Sequence, residues 1–181
     1  MDSMNSGTTW RMRNENVLRN VLRKLSFYGL YQKECRIMFE TNMGVVFLGR
    51  SRDFARELCQ GISSNRIFPL ATVSNLKTLE STLKCLQPEV IAIDDSFSET
   101  TAARVLQRVN SFDFYATPIV IVISNQNDAR YIETCMEYGA AYYMLKPVVA
   151  EIFWERAQML FDYQYEKTIE NSIRVRKGGK P

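Results

Sequence analysis

Between residues 43 and 165 the sequence alternates five times between a short apolar run and an amphipathic stretch. The apolar runs are rich in Val, Ile and Leu, as expected for strands that are buried on both faces. Five units of one strand and one helix require right-handed crossovers and a parallel sheet covered by helices on both faces. The sequence therefore predicts an α/β fold, a doubly wound five-stranded parallel sheet with the strand order 2-1-3-4-5.

Turn and capping residues predict the limits of these units. The strands are predicted at residues 45–48, 68–73, 90–93, 119–123 and 141–145. The helices are predicted to begin at about Ser51, Ser74 or Asn75, Glu99, Asp128 and Val149. Apolar periodicity predicts that one set of residues in the last two helices faces the core: Ile132, Cys135, Met136, Ile152, Phe153, Leu160 and Phe161.

The composition excludes several kinds of chemistry. The chain has no histidine, which excludes histidine-activated nucleophiles, histidine-ligated zinc and histidine phosphotransfer by this chain alone. The four cysteines are scattered and form no Cys-x-x-Cys pair. No apolar run approaches the ~18 residues that a membrane span needs, and the amino terminus is polar. We therefore expect a cytoplasmic protein with reduced cysteines.

Charge divides the chain into three parts. Residues 1–42 and residues 166–181 each carry a net charge of +3, and the segment between them carries −3. This pattern predicts a basic N-terminal helical extension (1–42), a central domain (43–165) and a basic C-terminal tail (166–181). The sequence leaves open whether the last helix continues into the tail as a stable helix or is ordered there by a partner.

The N-terminal extension contains an apolar stripe with arginines on the other faces of the predicted helix. The stripe consists of Val17, Leu18, Val21, Leu22 and Leu25. Such a stripe is expected to pack on this domain, on a second copy or on another protein. Binding to a membrane surface is the less favoured alternative.

The residues suited to catalysis or ligand binding follow the carboxyl ends of the predicted strands. Gly49-Arg50 follows the first strand, Asp94-Asp95 the third, Ser124-Asn125 the fourth and Lys146-Pro147 the fifth. Sites in open parallel sheets form at this edge. An acid, a hydroxyl and an ammonium group that converge there outline an oxyanion site.

Two segments resemble the receiver (CheY-like) domains of response regulators. Residues 88–94 resemble the third strand, and residues 139–147 resemble the signature that ends in Lys-Pro. The resemblance implies a flavodoxin-like receiver fold in which Asp94 is the phosphoacceptor-like residue. It also implies that Ser124 is the hydroxyl that senses phosphoryl oxygens, that Tyr143 is the switch aromatic, and that Lys146 completes the pocket.

The sequence departs from the family at the metal site. Receiver domains hold Mg²⁺ with two acids after the first strand, where this chain has Gly49-Arg50. Since Mg²⁺ binds mainly through carboxylates and phosphate, we expect neither a metal nor a cofactor. We expect Arg50 to form a fork-shaped ion pair with Asp94 or Asp95 in the pocket. A competing interpretation makes Arg50 and Arg52 an anion-binding pair.

These observations favour a non-enzymatic pseudo-receiver that acts as an interaction or scaffold module in a bacterial signalling or structural assembly. Its protein partners are expected to bind the N-terminal helix and the face formed by the fourth helix, fifth strand and fifth helix, with a homodimer as one option. The candidate aromatic anchors on that face are Tyr131, Tyr138, Tyr142 and Trp154. Not all four can face outward, and the sequence does not distinguish those that do from those in the core.

Two alternatives remain open. The first is a stand-alone response regulator that is phosphorylated on Asp94. The second is a transcription regulator that binds nucleic acid through its basic arms. It is disfavoured because residues 166–181 are too few for a helix-turn-helix effector domain.

Overall fold

A computed structural model of the chain describes residues 42–62, 66–96 and 100–176, with side chains up to residue 169. The strands are β1 (Met43–Leu48), β2 (Ile67–Val73), β3 (Val90–Asp94), β4 (Ile119–Ser124) and β5 (Tyr142–Leu145). The helices are α1 (Arg52–Gln60), α2 (Leu76–Leu86), α3 (Ala102–Asn110), α4 (Ala129–Glu137) and α5 (Ala150–Arg176). The predicted stripe from Val17 to Leu25 lies outside the described residues.

The five strands form one parallel sheet in the order β2-β1-β3-β4-β5. This confirms the predicted architecture and strand order. The order reverses between β1 and β3, which are neighbours in the sheet, so the carboxyl ends of β1, β3 and β4 lie side by side. Ligand sites in doubly wound sheets form at this switch point.

Side-chain caps fix where four of the helices begin. Ser51, Asn75, Thr101 and Asp128 each accept a hydrogen bond from a backbone N–H of the first turn of the following helix. These groups have no partner inside the helix, so the caps stabilise the helix starts. α3 begins at Ala102, after the Thr101 cap, and therefore later than the predicted start at about Glu99.

The core consists of two apolar layers, one on each face of the sheet. Alternate residues of β1, β3 and β4 point to opposite faces, and both sets are buried. One set packs against α2, α3 and α4, and the other packs against α1 and α5. Burial on both faces explains why the central strands appear in the sequence as uninterrupted apolar runs.

Two of the residues predicted to face the core are instead exposed. Met136 of α4 is 44% exposed and Ile152 of α5 is 45% exposed, whereas Cys135, Phe153 and Phe161 are buried as predicted. Both exposed residues lie on helices at the β5 side of the sheet, and β5 is an edge strand of only four residues. The edge strand is too short to cover the whole apolar stripe of either helix.

None of the helices in the described part of the chain is long and apolar enough to cross a membrane. α5 is the longest helix, with 27 residues, or roughly 40 Å at 1.5 Å per residue. It continues without a break from the predicted central domain into the predicted tail. Phe161 is the last buried residue among the described side chains of α5.

Candidate functional site

The sheet brings three of the predicted site residues, Asp94, Ser124 and Lys146, to one edge. Asp94 is the last residue of β3, and Ser124 is the last residue of β4. Lys146 directly follows β5, whose Leu145 pairs with Ser124. The backbone N–H of Lys146 donates to the carbonyl of Ser124 at 2.9 Å, which fixes the lysine beside the end of β4.

Asp94 is a buried carboxylate that is neutralised by a lysine. It is 4% exposed, and its Oδ1 accepts hydrogen bonds from Lys146 Nζ at 2.6 Å and from the Ser96 N–H at 2.9 Å. A charge-assisted bond of this length is among the stronger hydrogen bonds in proteins. A buried carboxylate without a partner is costly, and the contact with Lys146 offsets part of that cost.

Asp95 is the centre of a second set of hydrogen bonds. Its Oδ1 accepts from the Ala102 N–H at 2.9 Å, and its Oδ2 accepts from Ser124 Oγ at 2.8 Å. The Tyr131 hydroxyl lies 2.9 Å from both carboxylate oxygens. We call Asp95, Ala102, Ser124 and Tyr131 the Asp95 network. It joins the end of β3 to the start of α3, the end of β4 and the first turn of α4.

The loop after β4 is tied to the same network. Ser124 Oγ accepts a hydrogen bond from the Gln126 N–H at 3.0 Å, and the Tyr143 hydroxyl donates to the Gln126 carbonyl at 2.9 Å. The rings of Tyr131 and Tyr143 meet edge to face with their centroids 6.4 Å apart, a favourable geometry for aromatic pairs. The predicted switch aromatic, Tyr143, is therefore held by both a hydrogen bond and a ring contact.

Burial and the neighbouring carboxylate keep the hydroxyl donors of the site protonated. Burial raises the pKa of Tyr131, and its hydrogen bond to the Asp95 carboxylate raises this pKa further. Burial is also the main cause that raises the pKa of Tyr143 and of the Cys135 thiol. Tyr131 thus remains a hydrogen-bond donor to Asp95 throughout the physiological pH range.

Arg50 does not form the expected ion pair. Within the described residues, it makes no salt bridge with Asp94 or Asp95, and its side chain is exposed at the end of β1. The predicted bidentate ion pair is wrong, because Asp94 is already bonded to Lys146 and Asp95 already accepts hydrogen bonds from Ala102, Ser124 and Tyr131. The anion-binding pair of Arg50 and Arg52 stays a prediction.

Both carboxylates at the end of β3 are bonded to donors of the chain, Asp94 to Lys146 and Asp95 to Ser124 and Tyr131. Among the described residues, no group of three or more Cys, Asp or Glu side chains is placed to hold a metal ion. Gly49 also lies close to the pocket, because a Cβ at this position would be 3.2 Å from Asp94 Cβ and 3.1 Å from Phe54 Cδ1. A carboxylate-bearing residue in place of Gly49 would therefore require its neighbours to shift.

Of the four candidate aromatic anchors, one is buried, two are partly buried and one is exposed. Trp154 is buried, and its Nε1–H donates to the Leu58 carbonyl at 2.6 Å. Tyr131 bonds Asp95, and Tyr142 packs partly buried against the core, while Tyr138 is exposed. The exposed apolar side chains on the face of α4, β5 and α5 include Met136, Leu145, Val149, Ile152 and Met159.

Sequence reasoning placed Tyr131 on the partner face and missed its bond to Asp95. The available signal was its position three residues after the capping residue Asp128, in the first turn of a helix that starts near the end of β4. The backbone N–H of Ala102 was also missed, because backbone donors leave no mark in the sequence pattern.

No model of a known protein family matches the sequence. Solved structures resemble the chain over most of their length. The signal receiver domain of a protein assigned as a Luxo repressor from Vibrio parahaemolyticus has a TM-score of 0.62 and 16% identity, over 71% of this chain and 96% of that domain. A CheY-like receiver domain from Methanospirillum hungatei JF-1 has a TM-score of 0.61 and 11% identity, over 70% and 98% respectively. The fold is that of a receiver domain.

A further receiver-fold neighbour is a DNA-binding response regulator of the LuxR family from Staphylococcus aureus. It has a TM-score of 0.57 and 15% identity, over 66% of this chain and 98% of that chain. At these identities the likeness concerns the fold, and the receiver fold supports many functions. The function of this chain therefore has to be argued from its own site.

Proposed function

We propose that this chain is a non-enzymatic interaction module with a receiver fold, which acts in a bacterial signalling or structural assembly without Mg²⁺-dependent phosphorylation. The observation that carries this proposal is the Asp95 network. In the receiver domains that the sequence resembles, the hydroxyl after the fourth strand senses phosphoryl oxygens. Here the Ser124 hydroxyl donates to a carboxylate of its own chain, 2.8 Å away.

The electrostatics around Asp94 support the same proposal. Transfer of a phosphoryl group depends on cations that neutralise the developing charge. After β1 this chain offers Gly49 and an exposed Arg50 in place of two carboxylates. A guanidinium cannot serve as a ligand of a divalent cation, so the end of β1 contributes no carboxylate to the metal-assisted reaction.

The surface suited to a partner is the aliphatic face of α4, β5 and α5. Leu145 and Val149 are about half exposed, at 49% and 52%. Exposed apolar side chains that cluster on one face mark interaction sites more often than scattered ones do. We propose this face as the partner-binding surface.

We expect that the set of proteins that co-purify with the tagged chain from its native cells is retained in Asp94→Asn and lost in Leu145→Glu. The reason is that the first change abolishes any phosphoacceptor, and the second places a charge in the apolar face. Thr72→Glu, on the exposed outer edge of β2, is the matched control and should retain the partners. Loss of the partners in Asp94→Asn alone would overturn the proposal.

A second candidate function is phosphorylation on Asp94. The contact between Lys146 Nζ and Asp94 Oδ1 favours it, because an ammonium group beside the acceptor carboxylate also stabilises phosphoryl oxygens. The mass measurement described at the end of the Discussion separates this candidate from the first. The nucleic-acid alternative depends on the two basic arms, residues 1–42 and 166–181, and most of their side chains lie outside the described part of the chain.

A further inference from the structure

The second half of α5 extends past the core of the domain. After Phe161, one described hydrogen bond ties α5 to the sheet side of the molecule, from Gln164 Nε2 to the Thr117 carbonyl at 2.6 Å. The helix then continues to Arg176. The stretch from residue 162 to 176 is roughly 22 Å long at 1.5 Å per residue. Among the described side chains of this stretch, Asp162, Tyr163 and residues 165–169 are exposed, so it offers surface to a partner.

One side of α5 exposes apolar residues along its length. Ile152, Met159 and Tyr163 are 45%, 49% and 58% exposed. Their spacing of seven and four residues places them on one stripe of the helix, which we call the α5 stripe. The stripe begins beside the domain and continues onto the extension.

The α5 stripe also contains a cation without a suitable acceptor. The Arg156 guanidinium lies over the Tyr142 ring at 6.0 Å, and its Nη1 contacts Met159 Sδ at 3.9 Å. Its Nε is buried and has no hydrogen-bond partner. A thioether is a weak acceptor and Nη2 makes no described hydrogen bond, so it is the two terminal nitrogens that an acceptor from outside can bind. Ten residues further along the stripe, Glu166 is exposed on the extension.

We propose that the α5 stripe binds the α5 stripe of a second copy in an antiparallel pairing. When Met159 of one copy lies opposite Tyr163 of the other, Arg156 lies opposite Glu166 of the second copy. Two-fold symmetry repeats both contacts, so the pairing has two apolar layers and two ion pairs. The extension of each copy then runs along Ile152 of the other. This inference deepens the proposed function, in which this face binds a protein partner.

Charge selects the antiparallel arrangement over the parallel one. In a parallel pairing, equivalent residues of the two copies meet in each layer. Arg156 would then face Arg156, and Glu166 would face Glu166, which is unfavourable in both layers. The antiparallel pairing instead brings each guanidinium to a carboxylate, which is the acceptor that the fork of an arginine matches best.

Sedimentation of the purified full-length chain and of charge-reversal variants tests the pairing. We expect a concentration-dependent dimer that is weakened about ten-fold or more by Arg156→Glu and also by Glu166→Arg, because each places like charges in two layers. The double variant Arg156→Glu/Glu166→Arg should recover the dimer, since the pairs are re-formed with exchanged charges. Glu133→Arg, an exposed position on α4, is the control and should dimerise like the original chain.

Disulfide mapping tests the direction of the pairing. When Met159→Cys and Tyr163→Cys variants are mixed and oxidised, we expect the mixed 159–163 disulfide to exceed the 159–159 disulfide. A monomer at all concentrations, no recovery in the double variant, or a predominant 159–159 disulfide would each overturn the proposal. These measurements do not depend on Asp94, so their failure is distinct from a failure of the proposed function.

Discussion

Replacing Lys146 with methionine is expected to lower the free energy of unfolding by about 2–3 kcal/mol. This is less than the roughly 3–5 kcal/mol for breaking a fully buried ion pair, because the Lys146 side chain is 25% exposed. Asp94 is 4% exposed, and Lys146 Nζ lies 2.6 Å from its Oδ1. Methionine keeps most of the length of the side chain but removes the charge and the donors. Urea unfolding followed by circular dichroism measures the effect as a shift of the midpoint at constant slope.

The double variant Lys146→Met/Asp94→Asn is the control for this first prediction. An asparagine carries no charge, so the double variant should recover a large part of the stability that Lys146→Met loses. The coupling between the two positions then reports the ion pair itself. A loss below about 1 kcal/mol in Lys146→Met would mean that Asp94 does not need its partner, as for an exposed pair.

The second large effect is expected for Asp95→Ala, which should lower the free energy of unfolding by about 3 kcal/mol. The change leaves the Ser124 and Tyr131 hydroxyls and the Ala102 N–H without their common acceptor. Hydrogen bonds to charged groups contribute about 1.5–3 kcal/mol each, and water replaces part of what is lost. Calorimetry measures the stability, and hydrogen exchange at the Ala102 amide reports the local opening.

Asp128→Ala is the matched control for Asp95→Ala. Asp128 caps α4 by accepting one hydrogen bond, from the Tyr131 N–H at 3.0 Å. Loss of a cap of this kind costs about 1 kcal/mol. If Asp95→Ala proves no more destabilising than Asp128→Ala, the Asp95 network is not the structural centre that we infer.

The fold could be predicted because the sequence patterns that indicate it lie within single strands and helices. The apolar runs of β1, β3 and β4 identify buried parallel strands, and once five βα units are recognised the handedness rule leaves few topologies. Helix starts such as Ser51 and Asp128 follow from capping chemistry. The nearness of Asp94 and Lys146 follows from their positions at the ends of two strands of one sheet.

The details of the site depend on the tilt and rotation of helices, which sequence periodicity does not determine. Ile152 and Trp154 show this on α5, because the apolar pattern defines a stripe but not which edge of it meets the sheet. The expected Arg50 pair failed for a related reason. Several cations and donors compete for two carboxylates, and the ones that the fold places nearest, Lys146 and Tyr131, bond them.

The central claim is that the chain acts as an interaction module without Mg²⁺-dependent phosphorylation of Asp94. Intact-mass spectrometry tests this claim most directly. The purified chain is incubated with acetyl phosphate and Mg²⁺ beside a receiver domain that is known to be phosphorylated under the same conditions. Arg50→Asp, which returns one exposed carboxylate to the end of β1, shows whether a restored ligand brings the reaction back. We predict no phosphoryl adduct on the original chain, whereas an adduct that disappears in Asp94→Asn would contradict the account.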